Sequence, residues 1–584
     1  MARIAIVEKD KCHPLQCGDY YCVRLCPINR TGKECIIKTE QKKVGINTEL
    51  CTGCGICPKR CPFDALHIIK LPEELDKDPI HRYGKNGFHL YNLPVPMFGK
   101  VTGIVGKNGI GKSTAVKIMA GMLKPNLGRE KEADIKELIA YFKGQEAQVF
   151  FEKLRDDRIK ISYKPQEVDV IQRKAKGKVI DLLKKVDEKK MLGEYAKKLD
   201  IGKILENDIT KISGGEMQRV AICAAVLKNA NVYFFDEPAS YLDIKQRLNV
   251  ARFIKGLAGK DTAVVVVEHD LIILDYMADL IYLMYGTPGC YGITSLPKSA
   301  KAGINLYLDG YIKDENMRFR DHAIKFMVKP PTSFKKARTL TSWEGIHKKL
   351  GNFRLDAKSG DIKIGEVCGI LGENGIGKTS FVKILAGEAE KDMGNVSVNV
   401  KVSYKPQYIS IENDIIVMNL LNEAVNKYDI EIIRPLDIKP LLTKKISELS
   451  GGELQRVAIA ECLSKNAELY LLDEPSAYLD VEQRLIISRV IRNVMHQKGA
   501  SCLVVDHDLL FLDYLSDRLS VFTGEPAVHG QMNGPFEMEE GMNLFLKDIN
   551  MTFRRDQESH RPRANKLDSQ MDKEQKAEGK LYYG

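Results

Sequence analysis

The chain has 584 residues, 44% hydrophobic and 29% charged, and its 89 Lys and Arg against 78 Asp and Glu give a formal charge of +11. That is material for about four globular domains, and no apolar run approaches the roughly 18 residues a membrane span needs, which argues against a transporter with its own membrane domain. The charge is compatible with RNA binding without establishing it, and the early charges after Met1 argue against a signal peptide, so a cytoplasmic location and no membrane association are expected.

Taken in chain order, the first feature is a crowd of thiols: nine of the 14 cysteines precede residue 62. Cys51-x2-Cys54-x2-Cys57-x3-Cys61-Pro62 matches the bacterial ferredoxin run, and Cys12-x4-Cys17-x4-Cys22-x3-Cys26-Pro27 is a stretched copy of it. In two-cluster ferredoxins the fourth cysteine of each run ligates the other cluster. This spacing therefore predicts two [4Fe–4S] clusters, one on Cys12, Cys17, Cys22 and Cys61 and the other on Cys51, Cys54, Cys57 and Cys26. Structural zinc on four thiolates per site is the alternative, although zinc sites favour paired C-x2-C knuckles. Cys35 is left over, and Cys223, Cys290, Cys368, Cys462 and Cys502 read as small core residues.

Next come two phosphate-binding loops. Gly106-Lys107-Asn108-Gly109-Ile110-Gly111-Lys112-Ser113 and Gly372-Glu373-Asn374-Gly375-Ile376-Gly377-Lys378-Thr379 both spell the Walker A pattern, followed by Thr114 and Ser380. The glycines let backbone N–H groups converge on nucleotide phosphates while the lysine reaches the terminal ones. The rest of the chain repeats in step. Lys112 and Lys378 are 266 residues apart, whereas Ser213-Gly214-Gly215-Glu216 and Ser450-Gly451-Gly452-Glu453 are 237 apart, as are Asp236-Glu237 and Asp473-Glu474. One domain is therefore duplicated, with extra residues in the first copy between about 125 and 160. There Ile135, Leu138, Ile139 and Phe142 recur at helical spacing, Gly144 breaks the run, and Val149, Phe150 and Leu154 resume it. A helix-turn-helix hairpin is predicted, read either as decoration or as a docking knob, since a lone hairpin is too small to bury its own apolar face.

The remaining motifs supply chemistry. Apolar runs ending in Asp236-Glu237 and Asp473-Glu474 read as buried parallel strands that deliver two carboxylates to the edge where ligands bind. Each aspartate can hold a Mg2+ shell with Ser113 or Thr379, and each glutamate can polarise the attacking water. His269 and His507, after short apolar strands, can bridge that water and the γ-phosphate; Gln166 and Gln407, in Tyr-Lys-Pro-Gln segments, can sense the same metal or water.

This ordered set resembles the ATP-binding cassette (ABC) superfamily from about residue 80 to about 550. The resemblance implies an ATPase with tandem P-loop α/β domains after an N-terminal ferredoxin-like α+β domain. It makes Ser213, Gly215, Ser450 and Gly452 signature-loop residues that complete the ATP site of the opposite domain: Lys112, Asp236, Glu237 and His269 face Ser450, and Lys378, Asp473, Glu474 and His507 face Ser213. Asp243 and Asp480 match the loop that communicates between sites. Glu216 and Glu453 stand where many members have Gln. Tyr83 or Phe88, and Phe353, are candidates for stacking on adenine.

The cysteine domain narrows the resemblance to ABC subfamily E, the RNase L inhibitor-like proteins. This implies a monomeric ribosome-recycling ATPase that acts with a release factor or Pelota-like factor, touches small-subunit ribosomal RNA through the insertion, and meets initiation factors as a further partner class. The expected domains are 1–75, 76–295, a hinge at 296–340, 341–530, and a second hinge strip with a flexible tail at 531–584. A basic strip at 311–340 reads as a phosphate-backbone contact or a solvated face. An ATP-coupled Fe–S electron carrier remains the alternative, with an importer ATPase or a DNA-repair ATPase behind it.

Overall fold

A computed structural model describes all residues except 1–2, 8–10, 40–42, 48–49, 71–77, 85–86, 321, 325, 327–337, 398–399, 408–413 and 583–584. The chain forms two compact units, one of residues Met1–Ser240, Arg252–His269 and Met277–Ile324, the other of Tyr241–Ala251, Asp270–Tyr276 and Lys325–Gly584. Much of the basic strip at 311–340 lies outside the described residues. Among the described residues no helix is long and apolar enough to cross a membrane.

The cysteine-rich segment of the first unit is a small α+β fold. Strand Arg3–Val7 pairs antiparallel with Leu66–Lys70, and Ile36–Lys38 with Val44–Ile46. Helices Tyr21–Leu25 and Ile56–Arg60 each end on the fourth cysteine of a run, Cys26 and Cys61. The proline after each of these cysteines disfavours helical backbone at the cysteine itself, which turns the chain out to extended geometry there.

The main sheet of the same unit runs in the order His81–Arg82, His89–Tyr91, Tyr291–Thr294, Leu280–Thr287, Val101–Gly106, Ala263–Val267, Val232–Asp236, Ile161–Lys164. Its centre is parallel, with Asp236 level with Val267. Val101–Gly106, Val232–Asp236 and Ala263–Val267 are buried along their whole length, as parallel strands covered on both faces must be. The second unit repeats the plan: Arg518–Glu525, Val367–Leu371, Ser501–Val505, Leu469–Asp473 and Val402–Lys405 lie side by side in parallel, with Asp473 level with Val505. Thr339–Leu350 and Phe353–Ala357 add an antiparallel layer. These parallel P-loop sheets and the ferredoxin-like segment are the fold class expected from the motifs.

One expectation is sharpened and one corrected. The insertion does form helices, Ile135–Tyr141 and Glu146–Arg155, with an Asp134/Glu137 capping box and Gly144 in the left-handed region at φ 81°. Its apolar face is not left free for docking, however: Leu138, Phe142, Phe150 and Phe151 join one core with Ile104, Phe234 and Val265. The tail is not flexible either. It carries strand Pro562–Ala564 and helix Gln570–Glu578, and Arg561 is fully buried with its Nη1 3.0 Å from Asp275. A charged composition suggested solvation, whereas pairing within the fold satisfies these charges.

Candidate functional site

Each phosphate-binding loop joins a buried strand to the helix that begins at its lysine. Gly109 and Gly111 have φ of 72° and 92°, Gly375 and Gly377 of 70° and 95°, conformations that only glycine adopts without strain. Lys112 Nζ donates to the carbonyls of Gly106 (2.9 Å) and Lys107 (2.8 Å), and Lys378 Nζ to those of Gly372 (2.9 Å) and Glu373 (2.6 Å). The ammonium is thereby curled over the loop whose N–H groups flank Asn108 and Asn374. Ser113, Thr114, Thr379 and Ser380 occupy the first helical turn.

The aromatic candidates separate. A Cβ on Gly111 would lie 2.4 Å from the Phe88 ring, and one on Gly377 3.0 Å from Phe353, so these two phenylalanines are equivalent and pack behind the loop. Tyr83 is 49% exposed, its hydroxyl 3.3 Å from Thr114 Oγ1. Sequence reasoning missed Gly292 and Gly530, where a Cβ would sit 2.0 Å from the carbonyl oxygens of Ile110 and Ile376. The only signal was two more glycines in register with the repeat, 238 residues apart.

At the sheet edge, Thr379 Oγ1 donates to Asp473 Oδ2 at 2.7 Å, and Ser113 makes the matching bond to Asp236. The other oxygen of each carboxylate, Oδ1, is buried with no hydrogen-bond partner among the described residues. Burial pushes the Asp473 carboxyl up to about 6, with the Glu474 charge adding and Thr379 opposing, and burial likewise raises Asp236. An orphaned carboxylate oxygen beside a hydroxyl, in a place where burial penalises an uncompensated charge, suits a hard dication such as Mg2+.

Glu237 and Glu474 behave oppositely. Burial alone would raise them, but hydrogen bonds and charge from His269 and Lys112 hold Glu237 at about 2, and His507, Gln407 and Lys378 do the same for Glu474. Gln166 Nε2 donates to Glu237 Oε1 at 2.8 Å and Gln407 Nε2 to Glu474 Oε1 at 2.7 Å; His269 and His507 approach the same oxygens at 3.4 and 3.5 Å. Burial and the Lys378 charge lower His507, against the opposing pull of Glu474. Glutamine and histidine thus both converge on the glutamate.

Ser213 and Ser450 begin 14-residue helices, Gly214–Leu227 and Gly451–Ser464. Each serine caps the N–H of Glu216 or Glu453, whose carboxylate accepts the serine N–H in return at 2.7 and 2.8 Å. Glutamate in place of glutamine therefore completes a capping box. The N–H groups of Gly215 and Gly452 lie in the first turn, where a helix end favours anions. In the second unit Asp243 Oδ2 accepts the Asn374 N–H at 3.0 Å.

The cysteines fall into two neighbourhoods. Burial raises Cys22 to about 11, and the charges acting on it come from Cys12, Cys17 and Cys61; burial raises Cys57 to about 12, with Cys51 and Cys54 adding most and Cys22 less. One cavity is lined by Cys26, Cys51, Cys54 and Cys57 together with Cys35. Backbone N–H groups of Ala5 and Ala65 point at Cys51 Sγ and Cys61 Sγ, both at 3.4 Å. Cysteines gathered in this way, with N–H donors to sulfur, suit Fe–S clusters, which bind them as thiolates.

Two phosphate loops, each backed by a paired carboxylate, a glutamine, a histidine and a signature helix, define an ATPase built on ATP-binding cassettes and fused to a ferredoxin-like domain. The sequence matches the ABC transporter family at residues 96–240 and 355–477, a possible Fer4-like domain of RNase L inhibitor at 2–34, and the 4Fe-4S binding domain at 44–67. It is 52% identical to an uncharacterized ABC transporter ATP-binding protein of Methanocaldococcus jannaschii, over 100% of this chain and 97% of that one. It is 45% identical to translation initiation factor RLI1 of Saccharomyces cerevisiae, over 100% and 98%. A solved structure described as a model of ribosome-bound archaeal Pelota and ABCE1 covers 100% of this chain and 99% of its own at 51% identity, with a TM-score of 0.93. A crystal structure of archaeal ribosomal stalk protein aP1 with archaeal ribosome recycling factor aABCE1 covers 88% of this chain and 100% of its own, at 52% identity and a TM-score of 0.84. The chain belongs to the ABC transporter E family, the RNase L inhibitor proteins.

Proposed function

We propose that this protein is a cytoplasmic ribosome-recycling ATPase that separates large and small subunits together with a release factor or Pelota-like factor. The observation that carries this reading is the full-length likeness, at 51% identity and a TM-score of 0.93, to an ABCE1 described with ribosome-bound Pelota. The cassette machinery is intact in both halves of this chain, which supports turnover at two sites.

Lys112 and Lys378 bind the terminal phosphates; Asp236 with Ser113 and Gln166, and Asp473 with Thr379 and Gln407, would hold Mg2+, which supplies charge neutralisation on the phosphates. Glu237 and Glu474, ionised at neutral pH, accept a proton from the attacking water, and His269 and His507 orient the glutamates. Ser213, Gly215, Ser450 and Gly452 offer N–H donors to the nucleotide of the opposite cassette. Two bound ATP molecules would favour a closed pair of cassettes, and loss of the γ-phosphate would remove that preference. Tyr83 stacks on adenine in the first site.

Residues 1–75 form the cluster domain, with two [4Fe–4S] clusters on the eight cysteines named above; 76–295 and 341–530 form the cassettes, 296–340 a hinge and 531–584 a second hinge strip. Cassette closure moves the cluster domain against the bound factor. The insertion meets small-subunit ribosomal RNA, initiation factors are a further partner class, and the chain acts as a monomer.

The test is anaerobic: joined ribosomes are incubated with the protein, ATP and a Pelota-type factor and resolved on a sucrose gradient, with Cys54→Ser alongside. Splitting by the wild type alone is expected. Intact ribosomes despite brisk ATP hydrolysis would favour ATP-coupled electron transfer instead. Glu237→Gln with Glu474→Gln is expected to stay ribosome-bound in ATP.

A further inference from the structure

The Tyr-Lys-Pro-Gln segments hold a charge that the reaction as described does not use. Lys164 and Lys405 end the strands Ile161–Lys164 and Val402–Lys405 and are each 1% exposed. An ammonium this deep is tolerated only when its protons are hydrogen-bonded. Here they go to main-chain carbonyls: Lys164 Nζ donates to the oxygens of Asp236 (2.9 Å) and Glu237 (3.3 Å), and Lys405 Nζ to those of Asp473 (2.8 Å) and Glu474 (3.4 Å). If burial were the whole purpose, an unbranched apolar chain would fill the same space without a charge to desolvate.

What the two carbonyls flank explains the choice. Glu237 and Glu474 both sit at φ 47°, a left-handed conformation that is strained for any residue with a Cβ and persists only when its surroundings impose it. The N–H of each is held by the adjacent strand, Glu237 by Val267 O at 2.9 Å and Glu474 by Val505 O at 2.8 Å. The carbonyl of each receives Gln218 Nε2 or Gln455 Nε2 at 2.6 Å from the signature helix, and the lysine from the other side. Rotating the glutamate back to an ordinary φ would break these bonds together and swing its carboxylate away from Gln166 and His269, or Gln407 and His507.

We propose that Lys164 and Lys405 are positioning residues for ATP hydrolysis, each clamping the Asp-Glu peptide so that Glu237 or Glu474 keeps the left-handed backbone that aims its carboxylate into the site. The proposal rests on the reading of those glutamates as the groups that act on water. It differs from a packing role because nucleotide binding, which belongs to the phosphate loops, should survive loss of the clamp.

The experiment uses the full-length, cluster-loaded protein with Lys164→Met and Lys405→Met singly and together, and Glu237→Gln/Glu474→Gln as reference. Steady-state ATPase is measured alongside the Kd for a fluorescent ATP analogue with Mg2+. The double methionine variant is expected to lose about tenfold or more in kcat while KM and Kd change by less than about threefold, and each single variant to lose part of that. A folded double variant with wild-type kcat overturns the proposal, as does a rise in Kd that accounts for the whole loss of kcat/KM. If methionine abolishes the far-UV spectrum of the folded protein, the measurement moves to Lys164→Gln/Lys405→Gln, whose neutral amide is one atom shorter and falls short of the two carbonyls: a drop in kcat of about threefold or more at constant KM supports the clamp, and an unchanged kcat overturns it. If the glutamine reference itself hydrolyses ATP normally, the fault lies in the glutamate reading and the lysine proposal falls with it.

Discussion

The two cassettes build the same site under different cover. At the sheet edge the copies agree in bond and angle: glutamine to glutamate at 2.8 and 2.7 Å, histidine at 3.4 and 3.5 Å, glutamate φ 47° in both. Five strands away across each sheet they part. Tyr91 and Asp356 each lie three residues beyond the phenylalanine behind the phosphate loop. Tyr91 is buried at 8% exposure, and in the inserted helix nearby Tyr141 donates its hydroxyl to the Asp78 carbonyl at 2.7 Å. Asp356 instead meets His347, Arg354 and His529, and both histidines are about 40% exposed. Duplication has preserved the contacts among glutamate, glutamine and histidine and let the outer face diverge, because the former lock one another at buried strand ends and the latter are constrained only by what covers them.

The sharpest way to break the equivalence is to remove one glutamate at a time. Glu237→Gln and Glu474→Gln together are expected to lower ATP turnover by about 10²–10⁴-fold with binding retained. If either single variant keeps the wild-type rate, the two sites are unequal despite matching geometry. Next in size, Phe151→Ala should cost about 3–5 kcal/mol in thermal or denaturant unfolding, because its ring lies in the first cassette's own core. A loss well below that would mean the insertion is an appended hairpin after all.

Gly292→Ala and Gly530→Ala should each drive the phosphate loop off its carbonyl contact, at a cost of about 1–3 kcal/mol, read as weaker binding of a fluorescent ATP analogue. Equal penalties would sharpen the likeness of the two sites. The smallest effect belongs to the face that differs. Burial raises Asp356, but hydrogen bonds from His347, Arg354 and His529 outweigh it and hold the carboxyl at about 2. A depressed carboxylate stabilises the fold above its unfolded value of about 4 and loses that contribution as pH falls towards 2. Asp356→Asn should therefore cost up to about 1 kcal/mol near neutral pH and nothing measurable near pH 2, whereas Tyr91→Phe should show no such dependence.

Much of the site is legible in the sequence. Walker A, the Asp-Glu pairs, the signature serines and both histidines are short motifs whose chemistry depends on neighbours within a few residues, and their repetition in register made each copy a check on the other. Gly292, Gly530, Gln218 and Gln455 were hidden because their partners lie far along the chain: a glycine that admits the Ile110 carbonyl carries no local mark of doing so. The packing partner of the insertion was hidden for a related reason. Its helical period was plain, but period alone does not say which surface the apolar face meets. The order of the tail is hidden because charge density by itself reads as solvation, although Arg561 and Arg563 share Asp275 as a buried partner.

The sequence alone determined the two phosphate loops, the duplicated order of motifs, the cysteine runs and the class of protein, because each is a local pattern whose backbone or ligand chemistry admits few residue types. Only the tertiary structure decided that the glutamates stand in a left-handed turn between a glutamine and a buried lysine, that the phenylalanines lie behind the loops, and that the insertion and the tail are packed. Those outcomes depend on which long-range surfaces exclude water together and which buried polar groups must find partners there, and that is settled only when the whole chain has folded.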